Sequence, residues 1–297
     1  MQFSRLAVAI AVVGCLGFSQ AHAQDARSFV DAVSFTSNTN ALARWNDQVC
    51  VGAVGLAPDQ AQALVDRISS RARQVGLRPG GPGCTANVMV IYAPDSDRLT
   101  REIVDQRRDL LGYTPDDGQL TAGRGAMEAF ASDARAIRWW HVSSTGRGSL
   151  RPVDGTTYQA SGRTAAAAAA GDGGSAGSAG SPLSDIEGAD AVRGNASRTR
   201  TETRRNDLTY ALVIVDARRV ADVPASAWID YVAFVSLAQI DARARTGDYQ
   251  TVLNLFAGGV PVAGMTSWDE AYLDGLYDAR LEVANRQAAS IARRLSQ

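Results

Sequence analysis

Histidine, lysine and cysteine are scarce or missing in this 297-residue chain, and each shortage removes a class of chemistry. Of the two histidines, His22 falls in the N-terminal leader described below, so His141 stands alone in what remains. A zinc site of the His-Glu-x-x-His type needs two imidazoles one helical turn apart and is therefore excluded. A Ser-His-Asp triad would have to use His141. The single Gly-x-Ser-x-Gly match, Gly173 to Gly177, lies in a Gly/Ala/Ser tract with no strand pattern before it and no helix pattern after it. Every basic residue is arginine, so a phosphate loop with its lysine is impossible, and no Gly-x-Gly-x-x-Gly fingerprint occurs. The uniform use of arginine reads as the codon bias of a GC-rich genome, because no single site needs it. A formal charge of −1 argues against general nucleic-acid binding. No metal and no organic cofactor is expected.

The N-terminus carries a short basic region ending at Arg5, an apolar run from Leu6 to Gly14 too brief to span a bilayer, and the small-residue site Ala21-His22-Ala23. Residues 1–23 are expected to be a secretory signal peptide, and the protein is expected to be exported to the periplasm. Cleavage removes Arg5 and no acid, which takes the formal charge from −1 to −2. Cys15 lies inside the leader. That leaves Cys50 and Cys84 for an oxidising compartment, where a disulfide between them is expected. The pair lacks the Cys-x-x-Cys spacing of a redox site. Cys15 has a second reading, because Val12-Val13-Gly14-Cys15 resembles the lipobox of bacterial lipoproteins, which would anchor the protein to a membrane. The apolar Leu16-Gly17-Phe18 that follows favours cleavage after Ala23.

Periodicity gives an α/β (α+β) fold with a mixed sheet. Residues 48–54 form an apolar run of strand type, and Pro58 opens a helix with Ala61, Leu64, Val65, Ile68, Ala72 and Val75 at helical spacing. Gly76 is placed for a left-handed cap closed by Leu77. After a Pro/Gly-rich turn at 79–83, a second strand runs from Asn87 to Tyr92, completing a βαβ unit with parallel strands. The starts of both strands then lie side by side, where Cys50 and Cys84 fall. Ser96 is expected to cap a helix carrying Leu99, Ile103, Val104, Leu110 and Leu111, stopping at Gly112. The third strand, Ile137 to Ser143, puts Ile137, Trp139 and His141 on one face and Arg138, Trp140 and Val142 on the other. That strand either lines a groove as an edge, making Trp139, Trp140 and His141 a binding surface, or packs its indoles into the two sides of the sheet.

From 159 to 206 the composition turns to alanine, glycine and serine, then arginine and threonine, with too few large apolar groups to offset ordering entropy. A disordered insertion is expected there, with residues 24–158 and 207–297 forming one domain. Leu208 to Val215 is apolar almost throughout, as a strand covered on both faces would be. Pro224 opens a helix to Asp241 that is apolar nearly all round, hence central and buried. Ser267-Trp268-Asp269-Glu270 reads as a capping box for a helix through Tyr277. A last amphipathic helix runs from Glu282 to Leu295.

The stretch Thr251 to Phe256, Met265-Thr266-Ser267-Trp268-Asp269 and Leu273-Asp274-Gly275-Leu276-Tyr277 resembles the C-terminal part of zincin-like metalloproteases of the metzincin type, and exported bacterial proteins of unknown function that share this domain. The resemblance spans Leu208 to Tyr277. It implies a zincin-like scaffold in which the helix after Pro224 takes the place of the zinc-binding helix. That helix carries Asp230, Tyr231 and Phe234 but no histidine, so the resemblance implies a degenerate domain without its metal site and transfers no catalytic residue.

The leading expectation is a non-catalytic exported module that binds a protein, peptide or envelope component in the groove along its edge strand. The alternatives are a carboxylate-dependent hydrolase and a lipid-anchored envelope-assembly factor. The hydrolase would use Asp269 or Glu270 with Asp274, or the acid Asp230 in the buried helix, which needs a partner or a raised pKa.

Overall fold

The computed structural model describes residues 25–35, 42–112, 123–145, 206–257, 262–278 and 284–296. The expected signal peptide, Cys15 and the insertion up to residue 205 lie outside the described residues. Among these there are four strands: β1 (Val51–Val54), β2 (Val88–Ala93), β3 (Ile137–Thr145) and β4 (Asn206–Asp216). The described residues also hold seven α-helices: α1 (25–33), α2 (Pro58–Gln74), α3 (Ser96–Gln106), α4 (Arg124–Ser132), α5 (Ala225–Leu237), α6 (Ser267–Asp278) and α7 (Ala284–Leu295). Among the described residues no helix is long and apolar enough to cross a membrane.

The strands form one mixed sheet in the order β1-β2-β4-β3. β1, β2 and β4 are parallel, and β3 runs antiparallel to β4 at the sheet edge. The β1–α2–β2 unit forms as its periodicity requires. Gly76 closes α2 at φ 82°, with the Leu77 N–H reaching the Ala72 carbonyl at 2.8 Å and the Gly76 N–H reaching Arg73 at 3.0 Å. This is a Schellman cap, whose left-handed residue glycine adopts without strain.

Alternation along β3 and β4 sends side chains into two cores. One holds Ile137, Trp139, Val213 and Val215 against Phe29 of α1, Leu64 and Ile68 of α2, Phe234 of α5 and Leu276 of α6. The other holds Trp140, Val142, Leu212 and Ile214 against Leu99 and Ile103 of α3 and Phe130 of α4. β4 is thus covered on both faces, which its unbroken apolar run demands. Every residue of α5 from Ala227 to Leu237 is buried, so this helix is central, as its sequence indicates.

Three boundaries differ from expectation, the first being the end of α3, which stops at Gln106 and leaves Leu110 and Leu111 to a separate 3-10 turn, Arg108–Leu111, closed by Gly112. The N-cap of α3 is Asp95, which accepts the Arg98 N–H at 3.0 Å, because Ser96 turns inward to Asp216. The helix after Pro224 ends at Leu237 and not at Asp241. Beyond it the chain becomes extended and pairs with the end of α1, through Phe35 N–H to Gln239 O at 3.2 Å and Asp241 N–H to Val33 O at 2.9 Å. Helices α1 and α4 were not anticipated. α4 has only nine residues and buries just Met127 and Phe130.

Cys50 and Cys84 form the expected disulfide, with Cα atoms 6.0 Å apart at the starts of β1 and β2. Gly80 lies against the bridge, where any Cβ would collide with the Cys84 sulfur. Replacing both cysteines with alanine is expected to lower stability by about 3 to 4 kcal/mol, the loop-closure entropy of a bridge of this span. Urea unfolding of the oxidised parent and the double variant measures it, and coincident midpoints would contradict the estimate.

Candidate functional site

Among the described residues β3 is an edge strand with a neighbour on one side only, and its backbone chemistry follows from its pairing. Ala136 accepts the Asp216 N–H at 2.9 Å, and Arg138 faces Ile214 in register. In an antiparallel ladder the hydrogen-bonding direction alternates, so Arg138 and Trp140 exchange bonds with β4 while Ile137, Trp139 and His141 turn their N–H and C=O groups outward. Among the described residues no strand or loop backbone pairs with those outward groups.

The side chains of this strand are not surface groups. Trp139 is 6% exposed and donates its indole N–H to the Ile240 carbonyl at 2.9 Å, whereas Trp140 is 4% exposed and donates to Leu111 at 2.9 Å. His141 is 8% exposed, with Nε2 on the Val235 carbonyl of α5 at 2.7 Å. Burial pushes the imidazole down to about 4, against the opposing pull of that carbonyl, so the ring is neutral at pH 7. The two indoles pack into the two opposite cores of the sheet, one on each face. What they leave along the edge is a narrow groove with a volume of about 60 Å³, walled by Phe130 of α4 on one side and by Phe35, Gln239 and Arg243 on the other.

Gln239 was not singled out in the sequence. It is 8% exposed, and its Oε1 is buried without a hydrogen-bond partner among the described residues. A buried amide oxygen left unsatisfied costs about 1 to 3 kcal/mol. The available signal was one polar residue in an otherwise apolar run, Leu237-Ala238-Gln239-Ile240.

The carboxylates considered for hydrolysis are held apart, each by its own partners. Asp230 is 5% exposed and its partner is Arg67, which chelates it through Nε and, at 2.8 Å, through Nη2. The Met265 N–H adds a bond at 3.1 Å, and Gly264 lets the chain lie so close that a Cβ there would sit 2.7 Å from Asp230 Oδ2. Glu270 pairs with Arg71 at 2.6 Å. Asp269 is fully buried and accepts from Thr251 Oγ1, Thr266 Oγ1 at 2.8 Å, and the backbone N–H groups of Val252 and Thr266, both at 2.8 Å. Burial raises its carboxyl and these donors pull it back. Burial also raises Asp274, with Arg294 opposing and Glu270 and Asp278 adding to the rise. The Thr266–Asp269 pair, completed by the Asp269 N–H on Thr266 Oγ1 at 3.3 Å, is the capping box of α6, one residue earlier than expected. Among the described residues no three His, Cys, Asp or Glu side chains come together as they would around a metal ion.

Comparison with known proteins gave no match: no family model, no curated protein and no solved structure is similar to this chain.

Proposed function

We propose that this is a non-catalytic exported protein that binds an extended segment of a partner protein or envelope component as an added strand along β3. The observation that carries this is the row of outward N–H and C=O groups at Ile137, Trp139 and His141, with the unsatisfied Gln239 amide beside it. An unpaired edge is a template for another strand, and main-chain hydrogen bonds supply the affinity. The groove walls then select among side chains.

Further support comes from the architecture. An antiparallel edge strand lies next to the strand that leads into a buried helix, and that helix carries Asp230, Tyr231 and Phe234 but no histidine. Met265 and its turn rest on the same helix through Asp230. This suits a zincin-like scaffold whose cleft binds without cutting. The disulfide and the leader support a periplasmic address.

Backbone amide exchange tests the proposal. A pool of hexapeptides added to the full chain is expected to slow exchange at Ile137, Trp139 and His141, while Arg138 and Trp140, already bonded to β4, change little. Binding without protection of those three amides would overturn it.

A further inference from the structure

The free edge of β3 runs out at Ile137 beside a second cavity, of about 190 Å³. Its walls are apolar at Ile137, Trp139, Leu253 and Phe256. The polar groups around it fall into two sets. Thr246 donates to Asn254 Oδ1 at 2.6 Å, and Asp241 accepts the Arg243 N–H at 2.8 Å, so each is engaged within the fold.

Tyr231 and Arg135 differ. The Tyr231 ring is 7% exposed and held edge-on between Trp139 and Phe256, with centroids 5.8 and 5.6 Å away. Its hydroxyl makes no hydrogen bond to any described residue. Burial raises the phenol far above its ordinary range, with Arg135 opposing, so it is a donor at every physiological pH. Arg135 uses Nη2 and Nε on Asp133, at 2.9 and 3.3 Å, and Nη1 on the Ala242 carbonyl. A guanidinium has five N–H groups, so part of its capacity stays unspent. The cavity therefore presents two donors, one of them cationic, against an apolar wall, with the Asp241 carboxylate in the same lining held by Arg243.

We infer that this cavity receives the C-terminal residue of the strand added along β3, with an apolar side chain against Ile137, Leu253 and Phe256 and the terminal carboxylate bonded by the Tyr231 hydroxyl and Arg135. The inference rests on the edge-strand reading above. Because the cavity lies at the Ile137 end, a peptide that ends there runs antiparallel to β3. A charged acceptor suits this site better than a neutral one, since charge-assisted hydrogen bonds are about twice as strong. An aspartate or glutamate side chain offers the same chemistry, and the test separates the two sources.

Three hexapeptide pools are passed over the full chain: one with free C-terminal carboxylates, one amidated, and one amidated with glutamate at its last position. The free-acid pool is expected to bind about tenfold more tightly than the amidated pool, the worth of one hydrogen bond to a charged group. Tyr231→Phe is expected to remove most of that gap without harming the fold, because the hydroxyl it deletes bonds nothing there. Amidated glutamate peptides binding as well as free acids would keep the carboxylate site and overturn its assignment to a C-terminus. Equal binding of all three pools, or a gap that survives Tyr231→Phe, overturns the inference while the edge-strand reading stands. Retention of no pool overturns the edge-strand reading itself.

Discussion

Replacing Asp216 by alanine is expected to destabilise the fold by about 3 to 5 kcal/mol, the cost of removing one partner from a buried ionic network. Asp216 ends β4 and is fully buried. It accepts the Ser96 hydroxyl at 2.8 Å, the N–H groups of Ser96, Arg218 and Arg219 at 3.3, 3.0 and 3.1 Å, and Arg219 Nη1 at 3.1 Å. Ser96 Oγ in turn accepts Arg138 Nη1 at 2.6 Å, and Arg138 reaches on to Asp97 and the Asp133 carbonyl. One carboxylate thus joins the end of β4, the start of α3 and, through Ser96 and Arg138, the start of β3, and its loss leaves several buried donors without an acceptor. Hydrogen bonds from Arg219 hold the Asp97 carboxyl well below its ordinary range. Burial alone would raise Asp216, but bonds from Ser96 and Arg219 outweigh it and hold it low. Depressed carboxyls stabilise the fold above their unfolded values near pH 4 and lose that contribution as pH falls further. Urea midpoints at pH 7 measure the alanine variant, and a loss under about 1 kcal/mol, the worth of a typical net hydrogen bond, would show the network to be dispensable.

Acidification above that range is expected to act through His141. Its ordinary value of 6.5 applies to the unfolded chain and about 4 to the folded one, so protonation favours unfolding. The stabilising contribution is complete above pH 6.5 and is lost as pH falls toward 4. Between pH 7.5 and 4.5 this amounts to about 2 to 3 kcal/mol. Asp269, raised by burial, works in the opposite sense, so the readout is the difference from a variant. His141→Leu is expected to lower stability at pH 7, because the Val235 carbonyl loses its donor, and to flatten the pH dependence. A slope unchanged by the substitution would place the titrating group elsewhere.

Much of the architecture was legible in residue spacing. The β1–α2–β2 unit, the Gly76 cap and the disulfide belong together, since parallel strands bring Cys50 and Cys84 to the same end of the sheet. Alternation along β3 separated Trp139 from Trp140, and the two indoles do occupy opposite cores. The box at α6 was misplaced by one residue because Thr266 with Asp269 and Ser267 with Glu270 have the same signature. Tertiary partners decide between them: Thr251 and Val252 claim Asp269, and Arg71 claims Glu270. α4 was hidden because a nine-residue helix with two buried positions has hardly any period to read. The candidate site was least legible, because its chemistry lies in backbone groups. Which N–H groups of β3 face outward depends on its register with β4, and no side-chain pattern encodes that. The unspent hydroxyl of Tyr231 is likewise visible only when its neighbours are known.

The most direct test of the edge-strand account is a structure of the full chain bound to the tightest hexapeptide from the free-acid pool. The account predicts a fifth strand paired to β3 through the N–H and C=O groups of Ile137, Trp139 and His141. A peptide seated elsewhere, with those groups still unpaired, would contradict it.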